Sequence, residues 1–329
     1  METILVTLAH LVRGMALVLA LIVAAAAVLA LGGAISDRLD VLTHFAPLYL
    51  AGGAVALILH LASRPERGGA TLLLAAIAVI ASGGLMATET YAAITARRSP
   101  AGAQTLKLVQ FNLWGRNRDP MGSVRWILQE DPDIVVLEEA YDGAMSAPGA
   151  LKAHYPYRTT CSHPYICSTM ILSKAPPFRL GGLHGKGGET RISGAWIQFG
   201  GEKSGFTVVG VHYLRPLPAG LQQQQTRRLG EILDGFDRRS LIVAGDFNST
   251  PWSFSLRRQD ARFGLIRRTR ALFTWPAAPV SRFSLKFPWP FLAIDHVYAG
   301  ADWRTVDVRR GPRLGSDHYP VAVTFTRGS

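Results

Sequence analysis

An acid and an amide follow a short apolar segment in the second half of the chain. Asp246 and Asn248 stand two residues apart, directly after the apolar run Leu241–Ala244. Because side chains alternate along an extended strand, we expect Asp246 and Asn248 to project to the same side. A carboxylate beside a carboxamide can bind a metal-bound water or a phosphate oxygen, although an isolated pair of this kind more often only forms a turn.

Other segments of strand-like composition also end in, or lead into, acid, amide or imidazole side chains. Each of them alone would be explained by a turn or a surface pair. Together they offer several oxygen ligands and imidazoles, a combination that suits a hard cation such as Mg²⁺ or Mn²⁺ better than Zn²⁺. The side chains concerned are those of Asn112, Glu138, Glu139, His212, Asp295, Asp317 and His318.

Short segments rich in Val, Ile and aromatic residues, bounded by Gly, Pro or Asp, would position these side chains. Helical periodicity is found at Val124–Gln129 and at Gln222–Phe236. Many strands with few helices favour a sheet-on-sheet core that is covered by helices. The predicted strands are Thr105–Leu113, Asp133–Leu137, Thr169–Ser173, Gly194–Phe199, Phe206–His212, Leu241–Ala244, Ile294–Ala299 and Pro320–Thr326.

The N-terminal region has a different composition, rich in Ala, Leu, Val and Ile. Three long apolar stretches occupy about residues 14–35, 41–61 and 70–90. A helix that crosses about 30 Å of hydrocarbon needs about 20 such residues, so all three are predicted to span a membrane. A cleaved signal peptide would explain only the first stretch, and its apolar region is usually shorter, about 7–15 residues. We predict a transmembrane anchor over 1–95, a linker over 96–104 and a catalytic domain over 105–329.

The chain carries a formal net charge of +12, and many of its arginines fall between Arg215 and Arg282. A basic surface suits polyanionic nucleic acid and also anionic lipid headgroups. The positive-inside count is nearly equal on the two sides of the predicted spans. Cys161 and Cys167 are the only cysteines. A disulfide between them would suit an oxidising compartment, whereas two unrelated thiols would carry no such information.

The motifs FNLWG, LEEA, GVHY, GDFN, IDHV and SDHYP, in this order, resemble those of the endonuclease/exonuclease/phosphatase superfamily, which has the deoxyribonuclease I-like fold. The resemblance covers about residues 104–327. It implies an α/β (α+β) four-layer sandwich, with two mixed β-sheets face to face between helices and an active site at one sheet edge. The apolar N-terminal region and HYLRP are similar to a bacterial membrane-anchored branch. With the cysteines, this predicts an inner-membrane protein whose catalytic domain is periplasmic.

The resemblance implies a role for each matching residue. The expected metal ligands are Glu139, Asn112 and Asp317. Glu138 stands where the family has Gln, so Glu138 is the alternative metal carboxylate. Lewis-acid action of Mg²⁺ or Mn²⁺ on a phosphoryl oxygen would follow from such a site.

The remaining site residues are expected to act on the attacking water and on the phosphate. Asp246, steadied by Asn248, would orient or deprotonate the water. His212 and His318, the latter oriented by Asp295, would stabilise the charge that develops on the transition state. The expected substrate-binding residues are Asn112, Asn248, His212 and Arg215.

Three further features are expected at the rim of the site. Arg191 would reach phosphate or would be an ordinary surface arginine. Thr274 and Trp275, with the aromatic, proline-rich segment 286–292, come shortly before Asp295. This segment would contact a bilayer or nucleic-acid bases, or would only pack against the edge of the sandwich.

The sequence as a whole predicts a membrane-anchored, divalent-metal-dependent phosphoesterase that hydrolyses a phosphodiester or phosphomonoester by attack of water. Within this class, a nuclease and a phospholipid or sphingolipid phosphodiesterase are alternatives. Outside it, the alternative is a non-catalytic binding module on the same fold. The expected partners are a phosphoester substrate, either nucleic acid or a lipid headgroup, and membrane lipid; no protein partner is inferred.

Overall fold

The computed structural model describes residues 2–63, 69–102, 104–161, 167–183, 192–201, 205–277 and 287–328. The chain forms two compact units. The first consists of Met1–Ile94 and Thr250–Arg257, and the second of Thr95–Ser249 and Arg258–Ser329. The first unit is helical, and the second contains two β-sheets.

Long apolar helices dominate the first unit. Among the described residues, two helices are long and apolar enough to cross a membrane, or three if a bent pair is counted as one span. The predicted span 41–61 corresponds to that pair, whose axes differ by 55°. The bend falls at His44 and Phe45, and Pro47 occupies the first turn of the following helix, where a proline is tolerated. The helices are α1 (Glu2–Leu31), α2 (Asp37–Thr43), α3 (Ala46–Ala62) and α4 (Gly69–Thr95), with a 3₁₀ turn at Gly32–Ala34.

Small side chains allow these helices to pack closely. Ala20, Ala56 and Ala75 form one buried cluster, and Ala24 and Ala78 belong to a second. Large apolar side chains such as those of Leu11, Ile22, Ile58 and Ile80 remain exposed on the outside. Small residues at the contacts and large apolar residues facing outward are typical of helices that pack within lipid.

The segment Thr250–Arg257 packs with the helices of the first unit. The buried carboxylate of Asp40 accepts hydrogen bonds from the backbone N–H groups of Phe254 and Ser255, both at 2.8 Å. His44 Nδ1 lies 2.8 Å from the hydroxyl of Thr250. These contacts give a buried acid and a buried imidazole partners within the unit, as buried polar groups require.

The second unit is built from two six-stranded sheets in its described residues. In sheet A the strands are β1 (Thr105–Asn112), β2 (Ile134–Glu138), β3 (Tyr157–Thr160), β4 (Thr169–Ser173), β11 (Trp303–Arg310) and β12 (Val321–Arg327). In sheet B they are β5 (Arg179–Gly182), β6 (Ser193–Phe199), β7 (Phe206–His212), β8 (Leu241–Asp246), β9 (Ile266–Arg267) and β10 (Asp295–Ala299). Sheet A has the strand order β11-β12-β1-β2-β4-β3 and sheet B the order β5-β6-β7-β8-β10-β9.

The two sheets pack face to face and helices cover them. Leu108 contributes to the core between the sheets, whereas its neighbour Val109 joins an outer cluster with Ile127 and Leu151, as the alternation of a strand requires. The predicted four-layer sandwich of mixed sheets is therefore confirmed. The helices are α5 (Pro120–Glu130), α6 (Ser146–Leu151), α7 (Leu221–Leu233) and α8 (Phe254–Phe263).

The strand directions bring distant residues to one edge of the sandwich. β7 and β8 are parallel and end together, with His212 in register with Asp246. β10 is antiparallel to β8 and starts at this edge, so that its first residue, Asp295, is also in register with Asp246. Gly245 permits the close approach of β8 to β7, because a Cβ atom there would lie 1.8 Å from the carbonyl oxygen of Val211.

Sheet A supplies the other side of the same edge. β1 and β2 are parallel, and Asn112 is in register with Glu138 where both strands end. β12 is antiparallel to β1, so the loop that leads into β12, which carries Asp317 and His318, lies at the end of β1. The fold thus gathers strand-end side chains from both sheets.

Candidate active site

The carboxylate of Asp246 is the point on which the site residues converge. Its Oδ2 atom accepts hydrogen bonds from Asn112 Nδ2 at 3.0 Å and from Asn248 Nδ2 at 3.3 Å. The Nε2 atoms of His318 and His212 lie 3.6 and 3.7 Å from the same oxygen. The four neighbours come from separate parts of the chain, and Asp246 itself is only 1% exposed. The structure therefore brings these five predicted site residues together.

Burial raises the pKa of Asp246 to about 7, although the charge of His318 and the hydrogen bonds from Asn248 and Asn112 favour its ionised form. A carboxyl group whose pKa lies near 7 can take up a proton during a reaction and release it afterwards. The backbone N–H of Asn248 donates to Asp246 Oδ1 at 2.8 Å, so both oxygens of the acid are held in place. Asn248 has a φ of 49°, which turns its side chain back towards Asp246.

His318 forms a buried pair with Asp295. Its Nδ1 atom lies 2.8 Å from Asp295 Oδ2, which leaves Nε2 directed at Asp246. Burial works against a charged imidazole, but Asp295 and Asp246 outweigh it and raise the pKa of His318 well above its usual range. In return, His318 holds the pKa of the buried Asp295 carboxyl below its usual range. One ligand atom each from Asp246, Asp295 and His318 lie within 4.8 Å of one another.

His212 has the opposite protonation behaviour. Burial lowers its pKa to about 4, although the nearby Glu139 opposes this. The ring is therefore neutral near pH 7. Its Nδ1 atom lies 2.8 Å from the hydroxyl of Ser168, and its Nε2 atom faces Glu139 Oε1 at 3.8 Å and Asp246. The site thus contains one charged and one neutral imidazole on either side of the Asp246 carboxylate.

Glu139 lies at the open edge of the site, just beyond β2. Its φ of 51° places it in the left-handed region, where the chain leaves the strand. Its carboxylate accepts from Asn112 Nδ2 at 3.4 Å, from the N–H of Gly115 at 3.4 Å and from the Tyr141 hydroxyl at 3.2 Å. Burial favours the neutral acid, but the neighbouring imidazoles of His212 and His318, together with the hydrogen bonds from Asn112 and Gly115, outweigh it and lower the pKa of Glu139. Glu139 is thus an ionised carboxylate at the open edge of the site, where it can bind a cation.

Glu138 is placed differently from its neighbour. It is fully buried, and its Oε2 atom accepts from Gln110 Nε2 at 2.9 Å. The same amide nitrogen donates to Asp295 Oδ1 at 2.9 Å, so Gln110 bridges the two sheets beneath the site. Burial, reinforced by the charge of Asp295, raises the pKa of Glu138 well above its usual range. Glu138 is accordingly a neutral acid inside the sandwich, and Glu139 is the carboxylate at the edge.

We expect Glu138→Gln to keep hydrolytic activity within about 3-fold of the wild type, because an amide replaces an acid that is neutral in the fold. The unfolded chain ionises Glu138 above about pH 4.3 whereas the folded chain does not, so the wild type loses stability as the pH rises through that value. Glu138→Gln removes this loss. Its melting temperature without added metal should exceed that of the wild type by about 3 °C at pH 7 and match it at pH 4.

The matched control is Glu139→Gln, which should lose most of the activity and gain no such pH-dependent stability. Activity that falls as far in Glu138→Gln as in Glu139→Gln would make Glu138 the metal carboxylate instead.

Asp317 supplies a second carboxylate close to Glu139. Its Oδ2 atom accepts from Trp275 Nε1 at 3.2 Å, whereas its buried Oδ1 atom has no hydrogen-bond partner among the described residues. Burial raises the pKa of Asp317 and the negative charge of Glu139 adds to this, whereas His318, whose Nε2 atom lies 4.0 Å from Oδ1, opposes it only in part. A buried carboxylate oxygen without a donor, beside a second acid, is costly unless a proton or a cation compensates it. These donors therefore fit a hard divalent cation.

The other candidates are placed as follows. Arg215 is exposed, and its positive charge acts on Tyr141 and on His212. Trp275 contacts Asp317 and pairs with Leu292 in an isolated β-bridge, so this part of the predicted rim does adjoin the site. Arg191 and the residue at position 286 lie outside the described residues.

Sequence reasoning missed two residues that contact the site. Gln110 stands two positions before Asn112, and the alternation of a strand would have placed both side chains on the same face. Ser168 contacts His212, but a serine beside a cysteine carries no sequence signal for such a role.

The sequence profile of the Endonuclease/Exonuclease/phosphatase family matches residues 109–318, from within β1 to His318. The chain belongs to the endonuclease/exonuclease/phosphatase family. The matched region contains every predicted site residue. As the sequence predicted, this member of the family is a hydrolase that acts on phosphoric ester bonds. No curated protein matches the chain in sequence.

Several solved structures share the fold. A mannosyl-6-phosphatase of Bacteroides thetaiotaomicron is 15% identical, with a TM-score of 0.53 over 67% of this chain and 99% of its own. A mutant beta toxin of Staphylococcus aureus with bound magnesium ions is 15% identical, with a TM-score of 0.52 over 67% and 99%. Sphingomyelinase C of Streptomyces griseocarneus is 19% identical, with a TM-score of 0.50 over 68% and 99%. Identities this low show the common fold alone.

Proposed function

We propose that this family member is a membrane-anchored phosphoesterase that depends on Mg²⁺ or Mn²⁺ and hydrolyses a phosphodiester or phosphomonoester by attack of water. The observation that carries the proposal is the convergence of two amides and two imidazoles on one buried oxygen of Asp246, next to a separate pair of acids. A non-catalytic module has no use for this costly burial of acids.

The cation would be held by Glu139 and Asp317, with the amide oxygen of Asn112 as a third ligand. That oxygen accepts from the N–H of Trp114 at 2.9 Å and has a second lone pair for a metal. The bound cation supplies positive charge that polarises a phosphoryl oxygen and favours its attack by water. Two observations support this assignment: the pKa of Glu139 is lowered, and Asp317 Oδ1 has no hydrogen-bond partner among the described residues.

Asp246 orients the attacking water and accepts its proton. Asn112 and Asn248 hold the carboxylate so that only one orientation is available to it. With a pKa of about 7, Asp246 is substantially ionised at neutral pH and gains a proton without a large cost. Its basic form increases as the pH rises, so hydrolysis should accelerate between about pH 6 and pH 8.

The two histidines stabilise the negative charge that develops on the phosphoryl oxygens. His318 uses Nδ1 to hold Asp295 and offers Nε2 to the substrate as a charged donor. His212 offers Nε2 from a neutral ring on the other side of Asp246. Two donors that are fixed before the reaction contribute most where charge builds up in a buried site. Arg215 and Asn248 add contacts to the substrate phosphate.

The apolar helices would hold this enzyme in a bacterial inner membrane, with the catalytic domain on the periplasmic side. The described residues contain the disulfide Cys161–Cys167, and disulfides persist mainly in oxidising compartments. A membrane-anchored enzyme of basic composition suits a phospholipid-type substrate, and the same composition also accommodates nucleic acid.

The full chain, purified in detergent, should hydrolyse bis(p-nitrophenyl) phosphate or p-nitrophenyl phosphate in the presence of Mg²⁺ or Mn²⁺. Treatment with EDTA should lower the rate at least about 100-fold. Adding back either ion should restore the rate, because the bound cation balances the negative charge on the phosphoryl oxygen. Anionic phospholipid vesicles and plasmid DNA then separate a lipid phosphodiesterase from a nuclease. Hydrolysis that survives both EDTA and Asp246→Ala would overturn the proposal.

A further inference from the structure

Two glutamines at the start of α7 have their side chains inside the protein. Positions 222–225 are all glutamine; Gln222 is 7% exposed and Gln225 is fully buried, whereas Gln223 and Gln224 are exposed. Residues three positions apart lie on the same face of a helix, so the two buried amides project together. Because buried amides need hydrogen-bond partners, the groups that they contact indicate what they do.

The side-chain nitrogen of Gln222 is surrounded by three backbone carbonyl oxygens. It donates to the oxygen of Leu214 at 2.7 Å, and it lies 3.1 Å from the oxygens of both Phe247 and Asn248. An amide nitrogen carries two hydrogens. One is directed to Leu214, and the other is shared between Phe247 and Asn248 as a three-centre hydrogen bond. Since all three neighbours are acceptors, only the nitrogen of the amide can face them.

Gln225 binds the same loop through its side-chain oxygen. Its Oε1 atom accepts from the backbone N–H of Leu214 at 3.0 Å. The N–H and the carbonyl of Leu214 are therefore both bound by side chains of α7, which lie eight and eleven positions further along the chain. Two residues of the loop 213–220, Pro216 and Pro218, have no N–H to donate. The side chains of the helix thus supply the hydrogen bonds that hold this loop at Leu214.

The two segments that Gln222 joins both carry residues of the proposed site. The first continues directly into Arg215, which is exposed. In the second, the side chain of Asn248 donates to Asp246 Oδ2, and the same amide donates to the carbonyl of Tyr213 at 2.9 Å. Asn248 has a φ of 49°, which is uncommon for a residue with a Cβ atom and persists only where the surroundings support it. The hydrogen bond from Gln222 supplies part of that support.

We propose that Gln222 and Gln225 are positioning residues that hold the loop 213–220 against the turn at Asn248. They thereby place Arg215 and Asn248 for contact with the substrate phosphate. Neither glutamine touches the reacting atoms, and both act through the backbone that they bind. The catalytic consequence rests on the roles of Arg215 and Asn248 in the proposed function, whereas the position of the loop does not depend on which substrate is hydrolysed.

Hydrogen–deuterium exchange of the full chain in detergent tests the positioning without any assay of activity. Gln225→Met replaces the amide by an apolar group of similar length, so the N–H of Leu214 should exchange at least about 10-fold faster. Gln222→Met removes the donor to three carbonyls, so the peptides that cover 213–220 and 247–249 should both exchange faster. Strands β6 and β10 of the same sheet should keep the wild-type rates.

Gln223→Met is the matched control, because it changes the same residue type on the exposed face of the same helix. It should exchange like the wild type. Wild-type exchange of the loop in both Gln222→Met and Gln225→Met overturns the proposal, and so does an acceleration that spreads equally over both sheets. If Gln222→Met does not fold, Gln225→Met decides alone, because it leaves the contacts of Gln222 in place.

Kinetics test the link to catalysis. Gln225→Met should raise KM about 5-fold and change kcat less than about 2-fold, because it loosens only the backbone next to Arg215. Gln222→Met should in addition lower kcat about 10-fold, because it also releases Asn248, which steadies the carboxylate of Asp246. A merely structural role would lower kcat alike in both variants, and that result would overturn the link.

The rise in KM should depend on Arg215. In an Arg215→Ala background, Gln225→Met should cause no further rise, because it acts through that residue. An equal rise in both backgrounds would overturn this part of the proposal. Absence of metal-dependent hydrolysis in the wild type would instead contradict the proposed function, and the exchange rates would still decide whether the glutamines hold the loop.

Discussion

Asp246→Asn is expected to lower kcat by about 10³-fold, while the protein folds normally. An amide has nearly the same shape as the acid. Of the hydrogen bonds from Asn112 and Asn248, only those to the one replaced oxygen atom change. The amide cannot accept a proton from water, and it removes the negative charge that His318 and His212 face. Loss of a general base alone accounts for about 10²–10⁴-fold. Steady-state kinetics with a chromogenic phosphodiester measure the effect.

Two controls make this result specific. Asn248→Ala should cost much less, about 10–50-fold, because Asp246 keeps its hydrogen bond from Asn112. The rise in melting temperature on adding Mg²⁺ should persist in Asp246→Asn, since the proposed ligands are other residues. If this rise disappears, Asp246 is a metal ligand, and if kcat falls less than 10-fold, it is not the base.

The second large effect is expected for Asp295→Asn, which should lower kcat/KM by about 10²–10³-fold. Asp295 is fully buried and receives Nδ1 of His318 at 2.8 Å. Without this negative charge, burial dominates and the pKa of His318 falls towards or below its usual value. The charged donor next to the phosphate is then lost at neutral pH.

The pH dependence identifies the cause. In the wild type, Asp295 and Asp246 keep His318 protonated to high pH, so the alkaline limb of the profile lies above pH 7. In Asp295→Asn that limb should move to lower pH, and the loss of activity should be larger at pH 9 than at pH 6. A uniform loss at all pH values would show that Asp295 acts only by packing.

The thermal stability of the protein should also depend on pH through the pair of His318 and Asp295. The folded pKa of His318 lies above its unfolded value of about 6.5, so the contribution to stability is complete below that pH and is lost as the pH rises through the folded pKa. The gap in melting temperature between the wild type and Asp295→Asn should therefore be wider at pH 6 than at high pH.

The strands that position the site were predictable from the sequence. Each of the eight predicted strands corresponds to an observed one, because central strands are buried and read as runs of Val, Ile and Leu. The strands that were missed, β3, β5, β9 and β11, are the edge strands of the two sheets. Edge strands are short or polar, as in WRTVDVRR of β11, since one side of them faces solvent. Composition alone does not distinguish them from loops.

The site was predictable where strand ends and family motifs coincide. Asp246 and Asn248 could be identified from the alternation of side chains along a strand, and the family resemblance identified the other site residues that surround them. The choice between Glu138 and Glu139 required the structure, because it depends on which side chain points between the sheets. Ser168 was beyond prediction, since its contact with His212 joins residues 44 positions apart through an unremarkable serine.

The pairing of β1 with β12 has a consequence for how the enzyme folds. Ser316 donates to the carbonyl of Asn112 across 204 residues of chain, and the loop that bears Asp317 and His318 depends on that contact. Closing so long a loop is entropically costly, so contacts of this kind form slowly. We therefore expect catalytic competence to be acquired late in folding, after contacts between residues closer in sequence have formed. Until then one edge of β1 is unpaired, and unpaired strand edges are prone to associate with other unfolded molecules.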